Sequence, residues 1–188
     1  MMKDVLEIPI PSTCSLASGA STAHFADAFS TLVPHSDLTA TQLFALITQR
    51  IPAWVDTLMA LRNKAVKLVG LKDVGALSAQ STSSTNEANA QPGQYLGPFC
   101  VVRAHASEVI VEDNDKHLHV QIALQKISHN EQKDQIVITT VVHIHNWLGR
   151  VYMLPVGPAH KLIAPAVLRQ ARAAVTAHLS QSLRQSGA

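Results

Sequence analysis

Four histidines lie at alternate positions on two neighbouring segments that have the composition of β-strands. If the turn between these segments centres near Glu131, the histidines face one another in two cross-strand pairs. Four neutral imidazoles about 5 Å from their neighbours could take up Zn²⁺ or Ni²⁺, because imidazole is a good ligand for both metals. The predicted pairs are His119 with His143 and His117 with His145.

The apolar residues of the same strands argue against a metal site. Leu118, Val120, Ile122 and Leu124 alternate with the first two histidines, so the imidazoles are predicted on the face opposite the core. Catalytic metals usually sit in clefts where carboxylates support the ligands, whereas this face is predicted to be solvated. We therefore predict surface histidines, or a pH-sensitive contact between two copies of the chain, and neither a metal nor a cofactor.

The segment EDNDKH (112–117) places three acids beside a histidine. Asp113, Asp115 and His117 could carry acid–base catalysis if they converged on a cavity. Asn and Asp also favour the conformations of a β-turn, and this segment lies between two predicted strands. We predict the turn, assign no catalytic residue, and keep an enzyme as the alternative.

The segment HNWLGRVYM (145–153) combines polar side chains with a glycine at the end of a predicted strand. Asn146 lies at a position whose side chain would point inward from that strand, and Gly149 is interpreted as part of a β-bulge. A further strand over RVYMLP would place Arg150 and Tyr152 on one face. Inward polar groups either orient a ligand in an apolar cavity or bridge the sheet to a helix, and both interpretations stay open.

A helical pattern covers residues 36–70, where apolar side chains recur every three or four residues. Thr39 followed by Gln42 predicts a capping box at its start. Pro52 predicts a break into two helices, because proline lacks the N–H that a helix interior needs.

The second of these helices contributes three candidates for a ligand site. Trp54 and Leu58 belong to its apolar stripe, and Arg62 borders that stripe. An arginine in this position either pairs with an acid of the segment 112–115 or contacts an anion inside a cavity.

The remaining segments predict an α+β domain. We expect a loose segment over 1–23, a first strand over 24–33, and a disordered loop over 76–93, whose small polar residues cannot offset the entropy of ordering. From residue 96 the apolar period changes to two, and the short links between strands require an antiparallel meander. A long amphipathic helix that opens at Gly157–Pro158 ends the chain.

The fold class follows from the need to cover the apolar face of the sheet. The terminal helix is the largest amphipathic element available for this purpose. We predict a helix-grip arrangement, in which a curved antiparallel β-sheet wraps around a long C-terminal helix and a helix pair is inserted after the first strand. Residues 24–188 form one such domain.

Composition excludes several classes of protein. The chain has 15 Lys and Arg against 13 Asp and Glu, without the dense cationic run that binds nucleic acid. Cys14 and Cys100 are too far apart for a disulfide framework and are expected to be reduced. The sequence lacks a signal peptide and a run of ~20 apolar residues, so we expect a soluble, cytoplasmic protein without a membrane span. It also lacks GxSxG, P-loop, GxGxxG and HExxH motifs.

Four stretches together resemble a bacterial domain family of unknown function, one of the DUF families. They are ADAF, PAWVDTLMALRNKAVKLVGLK, DKHLHVQIAL and HNWLGRVYMLPVGPAHKLI, and the resemblance covers most of the chain outside 1–23 and 76–93. Some relatives of this family are fused to NAD(P)-binding, reductase-like domains. The family resembles the Bet v-type/START-like (SRPBCC) helix-grip group, which implies binding of lipids, hormones or other apolar molecules. His119 stands where the resemblance leads us to expect an acid, which argues against acid–base chemistry there.

We therefore expect a protein that binds a small apolar ligand in a cavity between the sheet and the C-terminal helix. The alternatives are an enzyme of the hydrolase, cyclase or isomerase type in the same cavity, and a homodimeric interaction domain. The residues predicted to line the cavity are Trp54, Leu58, Arg62, Asn146, Arg150 and Tyr152.

Overall fold

The computed structural model describes residues 5–55 and 89–186. Its strands are β1 (Leu6–Glu7), β2 (Phe25–Pro34), β3 (Tyr95–Leu96), β4 (Phe99–Ala104), β5 (Glu108–Asn114), β6 (Leu118–Asn130) and β7 (Lys133–Ile144). Its helices are α1 (Ala17–Ala20), α2 (Ala40–Thr48) and α3 (Trp147–Ser186). The strands form one antiparallel sheet in the order β1-β2-β7-β6-β5-β4-β3.

The pairing of β6 with β7 confirms the predicted register. Asn130 pairs with Lys133 across the turn, and His119 lies opposite His143. The backbone N–H of His145 donates to the carbonyl of His117 at 2.8 Å, so the second histidine pair continues the ladder. Alternation fixes the parity of this pairing, because a shift by one residue would turn every apolar side chain away from the core, and the turn near Glu131 then sets the register.

The main core lies between the sheet and the long helix, as the helix-grip prediction requires. On α3, Leu168 and Val175 are fully buried and belong to the same apolar cluster as Phe29 of β2 and Leu124 of β6. Helix α2 adds its own apolar face to this cluster, including the fully buried Leu43. The α+β fold class and the position of the terminal helix are therefore confirmed.

The predicted helix break is also present. Helix α2 begins with the Thr39–Gln42 capping box and ends at Thr48, and the chain is helical again at residues 53–55. The continuation of this second helix and most of the loop predicted over 76–93 lie outside the described residues.

The described part of the N-terminal segment is packed, which corrects the expectation of a loose segment over 1–23. Strand β1 pairs with β2, and the chain then crosses the sheet face opposite α3. Cys14 and Leu16 are buried there against Ile110 and Val141. This outer face, which was predicted to be solvated, therefore carries a small second core.

The start of α3 differs from the prediction of a strand over RVYMLP and a helix opening at Gly157–Pro158. The helix begins at Trp147 and contains Pro155, Pro158 and Pro165. Each proline removes one helical hydrogen bond and bends the helix, so local propensity argued against this start. Capping by Asn146 and the close approach of Gly149 to His117 outweigh that preference at the first turn.

Gly149 is part of the first turn of α3 and not of a β-bulge. A side chain there would place Cβ 2.4 Å from the carbonyl oxygen of His117, at the start of β6. Only glycine permits this close approach of helix and strand.

By length and composition α3 is the one helix among the described residues that could cross a membrane. Core helices of globular proteins meet the same criterion, and Leu168, Ala171 and Val175 of α3 are fully buried against the rest of the domain. This face of the helix is occupied by protein.

Candidate functional site

An acid lies beneath α3 in the middle of an apolar surface. Strand β2 directs Phe25, Asp27 and Phe29 towards the helix, because alternate side chains of a strand share a face. Asp27 pairs with Thr140 of β7, which in turn pairs with Ile122 of β6. Asp27, Thr140 and Ile122 thus form a row across three adjacent strands on the inner face of the sheet.

The carboxylate of Asp27 is only half satisfied. Its side chain is 3% exposed, and its Oδ1 lies 3.3 Å from Nε2 of His160 on α3. Its Oδ2 is buried and has no hydrogen-bond partner. The ring of His160 is held in turn by Phe25, edge to face, with ring centroids 5.6 Å apart. The protein therefore orients the histidine and leaves one buried carboxylate oxygen without a partner.

Asp134 provides an internal comparison for this carboxylate. Its side chain is 1% exposed, yet both oxygens are used: Nδ1 of His35 lies 3.0 Å from Oδ1, and the backbone N–H of Ser36 donates to Oδ2 at 3.2 Å. Lys126 lies 3.5 Å from Oδ2 as well. The contacts of Asp134 hold the connection after β2 in place. Asp27, in contrast, has a hydrogen-bond partner for only one of its two carboxylate oxygens.

Three other buried side-chain atoms among the described residues also lack a partner. They belong to neutral groups, whose burial costs far less than that of a charged carboxylate. They are the Oγ of Ser36, the Oε1 of Gln125 and the Oγ1 of Thr139. Asp27 is the only acid in this set, which makes it the strongest candidate for contact with a ligand.

The apolar surface beside Asp27 is incompletely covered by the described residues. Ile122 and Ile138 lie in the two strands at the middle of the sheet and face α3, yet both are only partly buried. Val167 on the facing side of α3 is partly buried too. A central position on a covered sheet face is normally closed, so the partial exposure of these side chains marks this surface as a candidate ligand contact.

The arrangement supplies two kinds of contact. Ile122, Ile138 and Phe29 offer an apolar surface, and Asp27 offers a hydrogen-bond acceptor beside it. Nε2 of His160 lies 3.3 Å from the other carboxylate oxygen. Small-molecule sites typically have an apolar lining that carries a small number of polar groups.

The sequence contained a signal for this site that we did not use. Asp27 interrupts the apolar residues of FADAF, and an acid on the inward parity of a strand requires an explanation. Its partner His160 is 133 positions away along the chain. The pairing could not be derived without knowing where α3 crosses β2.

Four of the six predicted lining residues belong to the described part of the chain. Leu58 and Arg62 lie outside the described residues. Trp54 is 44% exposed. Arg150 is exposed and Tyr152 is half-buried on α3. Because this segment is helical, residues two apart point in different directions, and the predicted common face of Arg150 and Tyr152 does not exist.

Asn146 has a defined structural role. Its Oδ1 accepts a hydrogen bond from the N–H of Gly149 at 3.2 Å, which caps the first turn of α3. Its Nδ2 donates to the carbonyl of Lys116 at 2.9 Å, and its amide lies within 3.2 Å of Nδ1 of His117. Asn146 thus bridges the sheet and the helix, one of the two interpretations left open above.

The side chains of three of the four histidines have different partners. Nε2 of His119 lies 2.8 Å from Oε2 of Glu112, and His117 contacts Asn146. Nδ1 of His145 lies 3.1 Å from a backbone carbonyl. Within residues 5–55 and 89–186, no group of three or more His, Cys, Asp or Glu is placed to hold a metal ion.

The segment EDNDKH forms the turn between β5 and β6, as predicted. Oδ1 of Asp115 accepts hydrogen bonds from the N–H groups of His117 and Leu118, at 2.6 and 2.9 Å. These contacts close the turn. Asp113 shares the inner parity of β5 with Val111.

The outer face carries a polar network of its own. The hydroxyl of Ser15 donates to Oε2 of Glu108 at 2.5 Å, and its N–H donates to Oε1 at 3.0 Å. Arg103 donates to the same hydroxyl at 2.8 Å. These residues border an open groove of about 490 Å³. Both oxygens of Glu108 are satisfied, so the network fastens the N-terminal segment to the sheet.

The two cysteines are both free. Burial raises the pKa of the Cys14 thiol. Cys100 is half-buried on β4.

Comparison with known proteins places these features within one family. A family model described as a protein of unknown function (DUF2867) matches residues 19–167. A comparison with curated proteins and with solved structures gave no match. The matched range contains both Asp27 and His160, and it includes the strands that form the apolar surface beside them.

Proposed function

The chain belongs to the family of proteins of unknown function DUF2867, and from the geometry above we propose that it binds a small apolar ligand between the sheet and α3. The ligand carries a hydrogen-bond donor, which contacts Oδ2 of Asp27. The observation that supports this proposal is a carboxylate oxygen that is buried, unpartnered and next to an incompletely covered apolar surface.

Energetics favour a ligand as the missing partner. An unsatisfied buried polar group costs about 1–3 kcal/mol, and more when it is charged. A ligand hydroxyl or amine that donates to Oδ2 removes this cost, whereas a ligand without a donor leaves it in place. The protein should therefore discriminate strongly between two ligands that differ only in this donor.

Shape and polarity restrict the ligand further. The surface around Asp27 is formed by Phe29, Ile122 and Ile138, so the body of the ligand is apolar. His160 occupies the other carboxylate oxygen and fixes the direction from which a donor can approach. Aromatic and aliphatic alcohols or amines have this combination of an apolar body and a single donor.

The test compares alcohols with their own methyl ethers, which keep the shape and lose the donor. In calorimetric titrations the wild-type protein should bind an alcohol about ten-fold more tightly than its ether, since a hydrogen bond to a charged group contributes about 1.5–3 kcal/mol. In Asp27→Asn the difference should shrink to about two-fold. Asp37→Asn, which changes an exposed acid, serves as the matched control and should keep the wild-type ratio.

Native mass spectrometry of the protein as isolated complements the titrations, because a retained ligand would appear as added mass. An equal preference for alcohol over ether in wild type and Asp27→Asn would contradict the proposed contact. Absence of stabilisation by any apolar alcohol, amine or ether would contradict ligand binding itself.

A further inference from the structure

The N-terminal half of α3 carries an apolar stripe that no described element covers. Trp147, Val151, Leu154 and Leu162 are 71%, 51%, 73% and 67% exposed. Their spacing of four, three and eight residues places them along one side of the helix. Pro158, which is also exposed, continues the stripe between the two leucines. Single exposed apolar side chains are ordinary, but a continuous row marks an interaction surface.

The charges around this stripe have one sign. Residues 147–186 contain five Lys or Arg and no Asp or Glu. Arg150 and Lys161 flank the stripe, and Arg169 and Arg172 continue its line towards the C-terminus, all four of them exposed. Among residues 5–55 and 89–186, Glu7 contacts this surface: its Oε1 lies 3.5 Å from Nζ of Lys161, in a pair that is more than half exposed. Such a pair is weak and leaves the surface basic.

These charges decide between the candidate occupants. A second copy of α3 would bring Arg150 and Lys161 against identical cations, which opposes self-association through the stripe. An anionic surface neutralises the same cations. A helix with Trp and Leu along an exposed basic face has the features of helices that lie in the interface of a lipid bilayer.

We propose that this stripe docks the domain on the surface of a membrane containing anionic lipids. The helix lies along the surface and does not cross the bilayer, because Leu168 and Val175 on its opposite face are buried against the sheet. Trp147 and Leu154 enter the boundary between headgroups and acyl chains, while Arg150 and Lys161 contact the headgroup phosphates. This surface is separate from the Asp27 site, so neither proposal depends on the other.

Co-sedimentation with vesicles tests the docking surface. Vesicles of phosphatidylcholine with about 30 mol% phosphatidylglycerol should bind the protein about ten-fold more than pure phosphatidylcholine vesicles, and less at high salt. The double variant Leu154→Ser/Leu162→Ser should lose about ten-fold in binding. Leu183→Ser is the matched control, because Leu183 is 74% exposed on the same helix but lies among polar residues; it should change binding less than about two-fold.

A second pair of variants isolates the electrostatic contribution. Arg150→Gln/Lys161→Gln should remove most of the preference for anionic vesicles, whereas Arg184→Gln should keep it. All of these side chains are exposed, so circular dichroism should report an unchanged fold for each variant.

Three results would overturn the proposal. The first is equal binding to neutral and anionic vesicles, or none to either. The second is a loss in Leu183→Ser as large as that in the stripe variant. The third is a dimer in sedimentation velocity that Leu154→Ser/Leu162→Ser dissociates, since a second copy would then cover the stripe.

Discussion

The two faces of the sheet are built in different ways. The inner face is covered by α2 and α3, whose apolar residues form one large cluster with the strands. The outer face is crossed by a short segment that contributes Cys14 and Leu16 to a much smaller cluster. Ser15 fastens this segment through its two hydrogen bonds to Glu108. The burial of a large apolar area holds α2 and α3 against the inner face. A few polar contacts hold the N-terminal segment against the outer face.

Glu108 on the outer face and Asp27 on the inner face differ in how completely their oxygens are hydrogen-bonded. Glu108 on the outer face is buried with both oxygens used, and it acts as a fastening. Asp27 on the inner face is buried with one oxygen unused. A satisfied buried acid explains the local structure by itself, whereas an unsatisfied one requires a partner that the described chain does not supply.

The largest expected effect tests the packing of α3 against the inner face of the sheet. Leu168→Ala on α3 should lower the free energy of unfolding by about 2–5 kcal/mol, because it removes a fully buried side chain and leaves a cavity. Urea denaturation measures this change. Leu162→Ala, which alters an exposed leucine of the same helix, is the control and should change stability by less than about 0.5 kcal/mol. Equal effects of both variants would mean that α3 does not pack as described.

A smaller and more local effect tests the attachment of the N-terminal segment to the outer face of the sheet. Glu108→Gln should lower the free energy of local opening at residues 10–20 by about 1–3 kcal/mol, because the hydrogen bonds of Ser15 lose their charged acceptor. Hydrogen exchange should therefore accelerate in this segment and remain slow in β7. Glu112→Gln alters a half-buried acid of the same strand and should leave residues 10–20 protected. Uniform acceleration over the whole domain would contradict an independently opening segment.

The smallest expected effect concerns the Cys14 thiol beneath that segment. Burial raises its pKa in the folded state, so the unfolded chain loses this proton first as pH rises. The contribution of Cys14 to stability is thus complete below the pKa of the unfolded state and is lost as pH rises through the folded value. Between pH of about 8 and about 10 the wild-type protein should lose more stability than Cys14→Ala, as measured by thermal unfolding.

A labelling experiment complements the pH dependence. At neutral pH a thiol-reactive disulfide reagent should modify the half-buried Cys100 first and Cys14 slowly. Glu108→Gln should accelerate labelling of Cys14 alone. Labelling of Cys14 as fast as Cys100 in the wild-type protein would contradict its burial.

Much of the fold was predictable because long periodic segments restrict their own environment. The alternation in β6 and β7 determines which side chains face the core, and the turn near Glu131 then sets the register of His119 against His143. The capping box at Thr39 and the break before Pro52 are local as well. Each of these features depends on residues within a few positions of one another.

The incorrect predictions share a different cause. Residues 5–23 have too little periodicity to predict a packed segment, and their order depends on contacts with β5 and β7. The prolines of α3 argued for a later start, but capping by Asn146 and packing of Gly149 against His117 place its first turn at Trp147. Such contacts join parts of the chain that are distant in sequence.

The sequence by itself therefore determined the antiparallel meander, the capped helix α2, the register of β6 against β7 and the side of the sheet that meets the terminal helix. These properties follow from the period of apolar side chains, since burial is favourable only when that period matches a helix or a strand. Only the tertiary structure decided that Asp27 lies beneath His160 with one oxygen unpartnered, and that the stripe beginning at Trp147 lies open. Whether a polar group is satisfied, or an apolar face covered, depends on residues far away along the chain, and folding alone brings them together.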